Sequence, residues 1–430
     1  MKEFKAALLL FRMWRNLRIS PEALRDQQER RLHKAVHHAY YTTRYYRDLF
    51  DAAHVHPGDI RSLSDLSRIP VSRKEDLLNV PQKDRLVRGI NTRKCQRKST
   101  SGTDGMPWEI LVSPSEKLGR DLKAMRAMLV NGYSVFDRTL RIWNPRMPKE
   151  PPHWFQRLGL LRLNYLSLYD EIERKQDILR EGNYDVIFGV SSDLCAVAEA
   201  ILERGDAITP PKIVVTTAEL MNLAWRRTIR NGFGVDPTDY YGSVEFGSVA
   251  WQCPERKGYH LDADQLILEL VGNGNTSDTS EEGEVVITDL ARRAMPLIRF
   301  ATEDWSSWSG IPCRCGIKLP MLPHISGRSR DFLSLPSGRR IAPFYVTARL
   351  EEVRGIRSFQ VIQSSDSDIV VRFTKRSGVG DDLSLDVVNC LRSLFGECVR
   401  IRAEEVPSIP IAEGKFRVVE NLLLRKDSPT

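Results

Sequence analysis

Apolar positions change their rhythm along this chain. Ala6-Ala7-Leu8-Leu9-Leu10-Phe11 forms an apolar patch cut short by Arg12. It lacks a small-residue cleavage site, so it predicts an amphipathic docking helix and not a signal peptide. Ser20-Pro21-Glu22 then has the order of a helix start: cap, first-turn proline, early acid. Leu32, Val36 and Ala39 follow at helical spacing. Between residues 110 and 230, strand-like runs alternate with helical ones. Leu140–Trp143, Tyr184–Gly189 and Lys212–Thr217 read as strands, with helices at Asp193–Arg204 and through Arg226-Arg227. That alternation predicts βαβ units and a mainly parallel sheet. After Tyr240 strands follow one another directly, at Gln265–Val271, Gly283–Thr288 and Leu297–Phe300, which predicts an antiparallel layer. A last unit reads strand (Ser358–Gln363), strand (Asp368–Phe373), helix (Leu383–Phe395), strand (Val399–Ala403). The expected class is α/β: a large domain over 1–327 with parallel sheets and an antiparallel layer, and a small mobile α+β domain over 328–430.

Bulk properties narrow this only slightly. The chain has 430 residues, 41% hydrophobic and 28% charged, as in ordinary globular proteins. Its 64 bases exceed its 56 acids by a dispersed +8, which favours acidic substrates and disfavours a dedicated nucleic-acid binder. No apolar run reaches the roughly 18 residues of a membrane span. Seven cysteines do not describe a secreted disulfide scaffold, and a reducing cytoplasm is the expected compartment.

The most chemical stretch is Ser99-Thr100-Ser101-Gly102-Thr103-Asp104-Gly105-Met106-Pro107. Glycines let a backbone approach a ligand, and successive N–H groups with hydroxyls form an anion nest suited to polyphosphate. Alone it is equally a polar loop that binds nothing. Four segments follow it: Tyr240-Tyr241-Gly242-Ser243-Val244-Glu245, Met295 to Asp304, Gly327-Arg328-Ser329-Arg330-Asp331, and Gly414-Lys415-Phe416-Arg417. Their order and spacing resemble the adenylate-forming superfamily of acyl-CoA synthetases. The nearest likeness is to the phenylacetate–CoA ligase branch and its capsular-polysaccharide-cluster relatives.

That resemblance implies roles. Thr100, Ser101, Gly102, Thr103 and Gly105 match the loop that holds ATP phosphates. Tyr241 and Gly242 match an aromatic wall, and Glu245 a carboxylate for Mg²⁺. Ala218 and Glu219 match the segment lining adenine. Asp304 matches the acid that accepts the ribose hydroxyls, and Arg328 an arginine on ribose or phosphate. Asp331 matches the pivot of the small domain, and Lys415 its mobile catalytic lysine. The bland alternatives are a surface acid at Glu245 and one more exposed lysine at Lys415. The activity implied is ATP-dependent activation of a carboxylic acid, aryl or short acyl, as acyl-adenylate, then transfer to CoA or another thiol or amine. A hydroxyl-directed adenylyltransferase and a catalytically lapsed nucleotide-binding protein are the alternatives. Expected partners are the small-molecule acid, the acceptor and a second copy in a homodimer, without nucleic acid.

Cys253, His260, Cys313 and Cys315 fall in the predicted antiparallel layer. Three thiolates and an imidazole make a closed tetrahedral set for structural Zn²⁺, and similar sets occur in this branch. The alternative is four reduced, unliganded side chains. Two positions depart from the family pattern. Asp104 replaces a small residue in the phosphate loop, and Glu303 replaces the glycine before the ribose-binding acid. Both add a carboxylate beside the nucleotide position, where like charges repel.

Overall fold

A computed structural model describes residues 2–99, 108–144, 154–205, 208–272, 275–276, 281–376, 378–380, 382–409 and 417–423, with backbone alone at 2–3 and 275–276. They form two compact units, Met1–Asn131 with Tyr240–Ile325, and Gly132–Asp239 with Ser326–Thr430.

The first unit opens with helices Lys2–Asn16, Pro21–Thr42 and Arg44–Ala52. The second starts at the predicted cap: Ser20 Oγ accepts from the Ala23 N–H at 3.2 Å, and Pro21 holds the first helical position. Leu32, Val36 and Ala39 are buried on its inner face. Two antiparallel groups of strands complete the unit, beside the two-stranded ribbon Gln96–Ser99 with Glu109–Val112. One joins Thr238–Ser243, Gly247–Gln252, Tyr259–Leu261 and Met321–Leu322 in that order. The other orders Asn275–Thr276, Leu266–Gly272, Gly283–Asp289 and Phe300–Ser306. The strand expected at Leu297 begins instead at Phe300. Arg299 turns the chain there with φ 45°, and its buried guanidinium meets Glu269 at 3.0 Å. A left-handed residue interrupts the extended backbone that the apolar run promises.

The second unit carries four parallel strands, ordered Ile213–Thr217, Val186–Val190, Arg138–Trp143 and Arg162–Ser167. Helices Ile172–Glu181, Ser191–Arg204 and Leu223–Phe233 connect or follow them. Its C-terminal sheet orders Arg400–Glu405, Asp368–Lys375, Ile356–Ser365 and Val419–Asn421. The central pair is antiparallel and both flanks are parallel. Helix Ser384–Phe395 bridges Asp368–Lys375 to Arg400–Glu405 and buries Val387, Leu391 and Phe395. Arg357 ties this sheet to helix Ser191–Arg204 through Glu199 and Glu203, each at 2.9 Å. Among the described residues, no helix is long and apolar enough to cross a membrane.

Candidate active site and metal centre

Helix Pro114–Val130 organises the candidate site in the first unit. Ser113 caps it, and Glu116 completes a capping box. Glu116, Arg120, Lys123 and Arg126 follow at spacings of four, three and three, so they share one face. That face is turned into the protein. Glu116 Oε1 accepts the N–H groups of Arg293 (2.7 Å) and Ala294 (3.2 Å). Arg120 donates to the carbonyls of Val244 (2.9 Å) and Glu245. Lys123 Nζ donates to the carbonyls of Phe246 (3.2 Å) and Ser248 (2.7 Å). Arg126 reaches Asp262 at 2.5 Å and Asp264 at 3.0 Å with all three side chains fully buried. Removing one partner of such a buried group costs about 3–5 kcal/mol, because a charge is left unpaired. Burial, with the charge of Arg292 next, pushes the Arg120 guanidinium down to about 10, so it stays charged at neutral pH. Burial likewise lowers the Lys123 ammonium.

The carbonyls that Arg120 and Lys123 hold belong to the turn between Thr238–Ser243 and Gly247–Gln252 and to the start of the second strand. Arg292 also donates to the Glu245 carbonyl, so two guanidinium groups fix that peptide. Gly242 makes the hairpin possible: a Cβ there would lie 2.4 Å from the Gly247 carbonyl oxygen. Tyr241, one residue earlier, donates from Oη to Asp304 Oδ2 at 2.7 Å.

Asp304 reaches Tyr241 from a bulge. Glu284 pairs with Trp305 and Val286 with Ala301, so Val285 alone faces Thr302, Glu303 and Asp304. Thr302 Oγ1 closes the bulge on the Val285 carbonyl at 2.9 Å. Bulges re-aim side chains in this way. Glu303 sits in it at φ 64°, the left-handed region that favours glycine. The Glu303 departure is therefore conformational as well as electrostatic.

Cys253, His260, Cys313 and Cys315 meet in the same unit, their ligand atoms all within 4.8 Å of one another. Cys253 Sγ lies 3.6 Å from Cys313 Sγ, and Cys315 Sγ lies 3.3 Å from His260 Nε2. A zinc tetrahedron with S arms of about 2.3 Å has edges of about 3.8 Å, so these spacings fit. His260 Nδ1 faces the Leu319 carbonyl at 3.5 Å, which directs Nε2 to the thiols. Burial pushes the imidazole down to about 4, keeping it neutral and ligand-ready at pH 7. Burial raises the Cys253 thiol and pushes Cys315 up to about 12, although backbone N–H groups of Glu255 and Ile317 pull the other way. A divalent cation reverses that preference by favouring thiolate.

In the second unit, Ala218 follows strand Ile213–Thr217 with φ 73°, another non-glycine left-handed residue. Glu219 Oε2 accepts the Ser192 N–H at 2.8 Å, at the start of helix Ser191–Arg204. Arg328 ends strand Ile325–Arg328, and Asp331 ends the 3₁₀ turn Ser329–Asp331. Beyond that turn Gln363 clamps Ser334, accepting its N–H at 2.8 Å and donating to its carbonyl at 2.6 Å. Thr100, Ser101, Gly102, Thr103, Asp104, Gly105 and Lys415 lie outside the described residues. The sequence reading missed Glu116, Arg120, Lys123, Arg126 and Arg292. Their one available signal is the regular spacing of the first four, which equally describes a solvated helix face.

No protein-family model matches the chain. It is 30% identical over 355 residues to the phenylacetate-coenzyme A ligase of Thermus thermophilus, spanning 76% of this chain and 75% of that one. It is 27% identical over 337 residues to the phenylacetate-coenzyme A ligase of Aromatoleum evansii, spanning 73% and 72%. Among solved structures, 2-hydroxyisobutyryl-CoA ligase in its postadenylation state with 2-HIB-AMP matches at a TM-score of 0.79 and 18% identity. The match covers 95% of this chain and 92% of that one.

Proposed function

This chain belongs to the phenylacetate–coenzyme A ligase family of adenylate-forming enzymes, and on that premise we propose that its acid is an aryl or short-chain acyl compound. ATP activates the acid as an acyl-adenylate, and CoA accepts the acyl group. In this reading Asp304 accepts the ribose hydroxyls, since a carboxylate can take two hydrogen bonds from a vicinal diol. Tyr241 holds that carboxylate in place and walls the nucleotide. Thr100, Ser101, Gly102, Thr103 and Gly105 cradle the phosphates, and Ala218 and Glu219 border adenine. Arg328 and Lys415 offset charge as the carboxylate oxygen attacks the α-phosphorus and pyrophosphate leaves. Residues 328–430 then pivot at Asp331 as a lid over the body 1–327.

Glu245 is the residue that would hold Mg²⁺. One carboxylate beside phosphate oxygens suits this hard cation, and Arg120 and Arg292 already fix the peptide that carries it. The bound ion supplies charge neutralisation at the phosphates. Cys253, His260, Cys313 and Cys315 would hold a structural zinc.

The observation that carries the nucleotide assignment is the 2.7 Å Tyr241–Asp304 hydrogen bond at a bulge that aims the carboxylate. The test is acid-dependent exchange of labelled pyrophosphate into ATP across a panel of aryl and short-chain acids. Exchange is expected with at least one acid and is expected to collapse in Lys415→Ala. Unchanged exchange in that variant would remove Lys415 from the reaction. No exchange, with no ATP binding by calorimetry, would leave a protein without this activity.

A further inference from the structure

Helix Lys2–Asn16 is apolar on two faces. Its inner face is anchored. Met13 and Leu17 are buried, the Met13 carbonyl accepts from Arg126 at 3.0 Å, and the Leu17 carbonyl accepts the Lys318 N–H at 2.8 Å. Its outer face carries Phe4, Leu8, Phe11 and Trp14 at spacings of four, three and three. They stand 75%, 41%, 58% and 38% exposed. Isolated exposed apolar residues need no explanation, but a stripe of four along one helix does.

The charge along the stripe is mainly basic, with Glu3 as the one acid of this helix. Between Phe4 and Arg18 the chain carries Lys5, Arg12, Arg15 and Arg18 and no acid. Beside the helix lies a cavity of about 360 Å³, whose lining includes Arg12, Arg15, Arg31, Asn16 and Gln27. Arg31 is held in orientation by the Asp264 carbonyl and by Gln265 Oε1 at 3.1 Å. The groove thus gathers three guanidinium groups next to the apolar stripe.

We propose that this face docks the protein on an anionic lipid surface. The helix lies in the plane of the interface. Phe4, Leu8, Phe11 and Trp14 enter the acyl boundary, Lys5, Arg12, Arg15 and Arg18 meet headgroup phosphates, and the groove takes one of them. Apolar rings flanked by bases are the composition of interfacial helices. Charge excludes a second copy as occupant: two such faces would bring cations against cations. An anionic bilayer supplies both the apolar depth and the negative charge.

The test is partition of the full chain onto vesicles of phosphatidylcholine alone or mixed with phosphatidylglycerol. Binding is expected on the mixed vesicles, weakening steeply as salt screens the charges. Phe4→Glu/Phe11→Glu is expected to weaken it by about tenfold or more per ring, with unchanged thermal unfolding and unchanged pyrophosphate exchange. Arg12→Gln/Arg15→Gln is expected to lose about 25-fold, at roughly fivefold per cation near an anionic leaflet. Equal binding to both vesicle types, or full binding by the Phe4/Phe11 variant, would overturn the proposal. So would a wild-type dimer in sedimentation that the Phe4/Phe11 variant converts to monomer, which would assign the face to a second copy.

Discussion

Tyr241 and Asp304 come from two different sheets and meet through one hydrogen bond, Oη to Oδ2 at 2.7 Å. The strand geometry explains why they can. A bulge opposite Val285 carries Asp304, while a tight hairpin at Gly242 fixes the strand that bears Tyr241. A hydrogen bond to a charged acceptor contributes about 1.5–3 kcal/mol. Tyr241→Phe is therefore expected to lower kcat/KM for ATP by about tenfold or more, mainly through KM. Steady-state kinetics with ATP varied will read this. An unchanged KM would mean that the nucleotide does not depend on the orientation of Asp304.

Glu303 offers a substitution in the opposite direction. A non-glycine residue in the left-handed region is destabilised by about 1–2 kcal/mol, and glycine's extra chain entropy returns about 0.5–1 kcal/mol of that. Glu303→Gly is expected to raise stability by about 0.5–1 kcal/mol in denaturant unfolding. It should also lower the KM for ATP, because a carboxylate next to Asp304 is gone. A lower unfolding midpoint would show that the native contacts of Glu303 outweigh its backbone strain.

The Cys253, His260, Cys313 and Cys315 cluster predicts about one zinc per chain after purification without chelator. Chelation, or Cys253→Ser, is expected to lower the thermal midpoint by on the order of 10 °C, at about 2–4 °C per kcal/mol for a domain of this size. Metal analysis that finds none, with a midpoint indifferent to chelator, would reject the site.

Glu351 gives a pH dependence. Its carboxylate accepts the Leu223 N–H at 2.5 Å, at the start of helix Leu223–Phe233. Burial raises its pKa above the ordinary 4.5, against backbone N–H groups of Leu223 and Ala224 that pull it down. Above 4.5 the folded state therefore keeps a proton that the unfolded chain has released. Its contribution to stability is full below 4.5 and is lost as pH rises through the raised value. Unfolding free energy measured across this range should fall with pH in the wild type and flatten in Glu351→Gln. Identical slopes would assign the dependence to other groups.

What sequence alone could reveal divides by how local the determinant is. The helix start at Ser20 and Pro21 is legible because cap and proline act within one turn. The three parallel strands rich in apolar residues are legible for the same reason, whereas Arg162–Ser167 is not, because exposed Asn164 and Tyr165 break its apolar run. Asp304 is legible as a residue type, but its bulge is not, since register depends on the partner strand Gly283–Asp289. The inward face of helix Pro114–Val130 is the hardest case. Charges at helical spacing signal solvent, and only the carbonyl-rich turn they meet makes them interior.

Arg120 and Lys123 grip that turn by main-chain oxygens at Val244, Glu245, Phe246 and Ser248, not by its side chains. A grip of this kind is blind to side-chain identity. Val244 can be exchanged without loosening the loop that presents Glu245, so variation can accumulate there while the loop's path persists. For protein engineering, Val244 is a place to vary the turn without dismantling the scaffold that supports it, whereas the buried Phe246 is not.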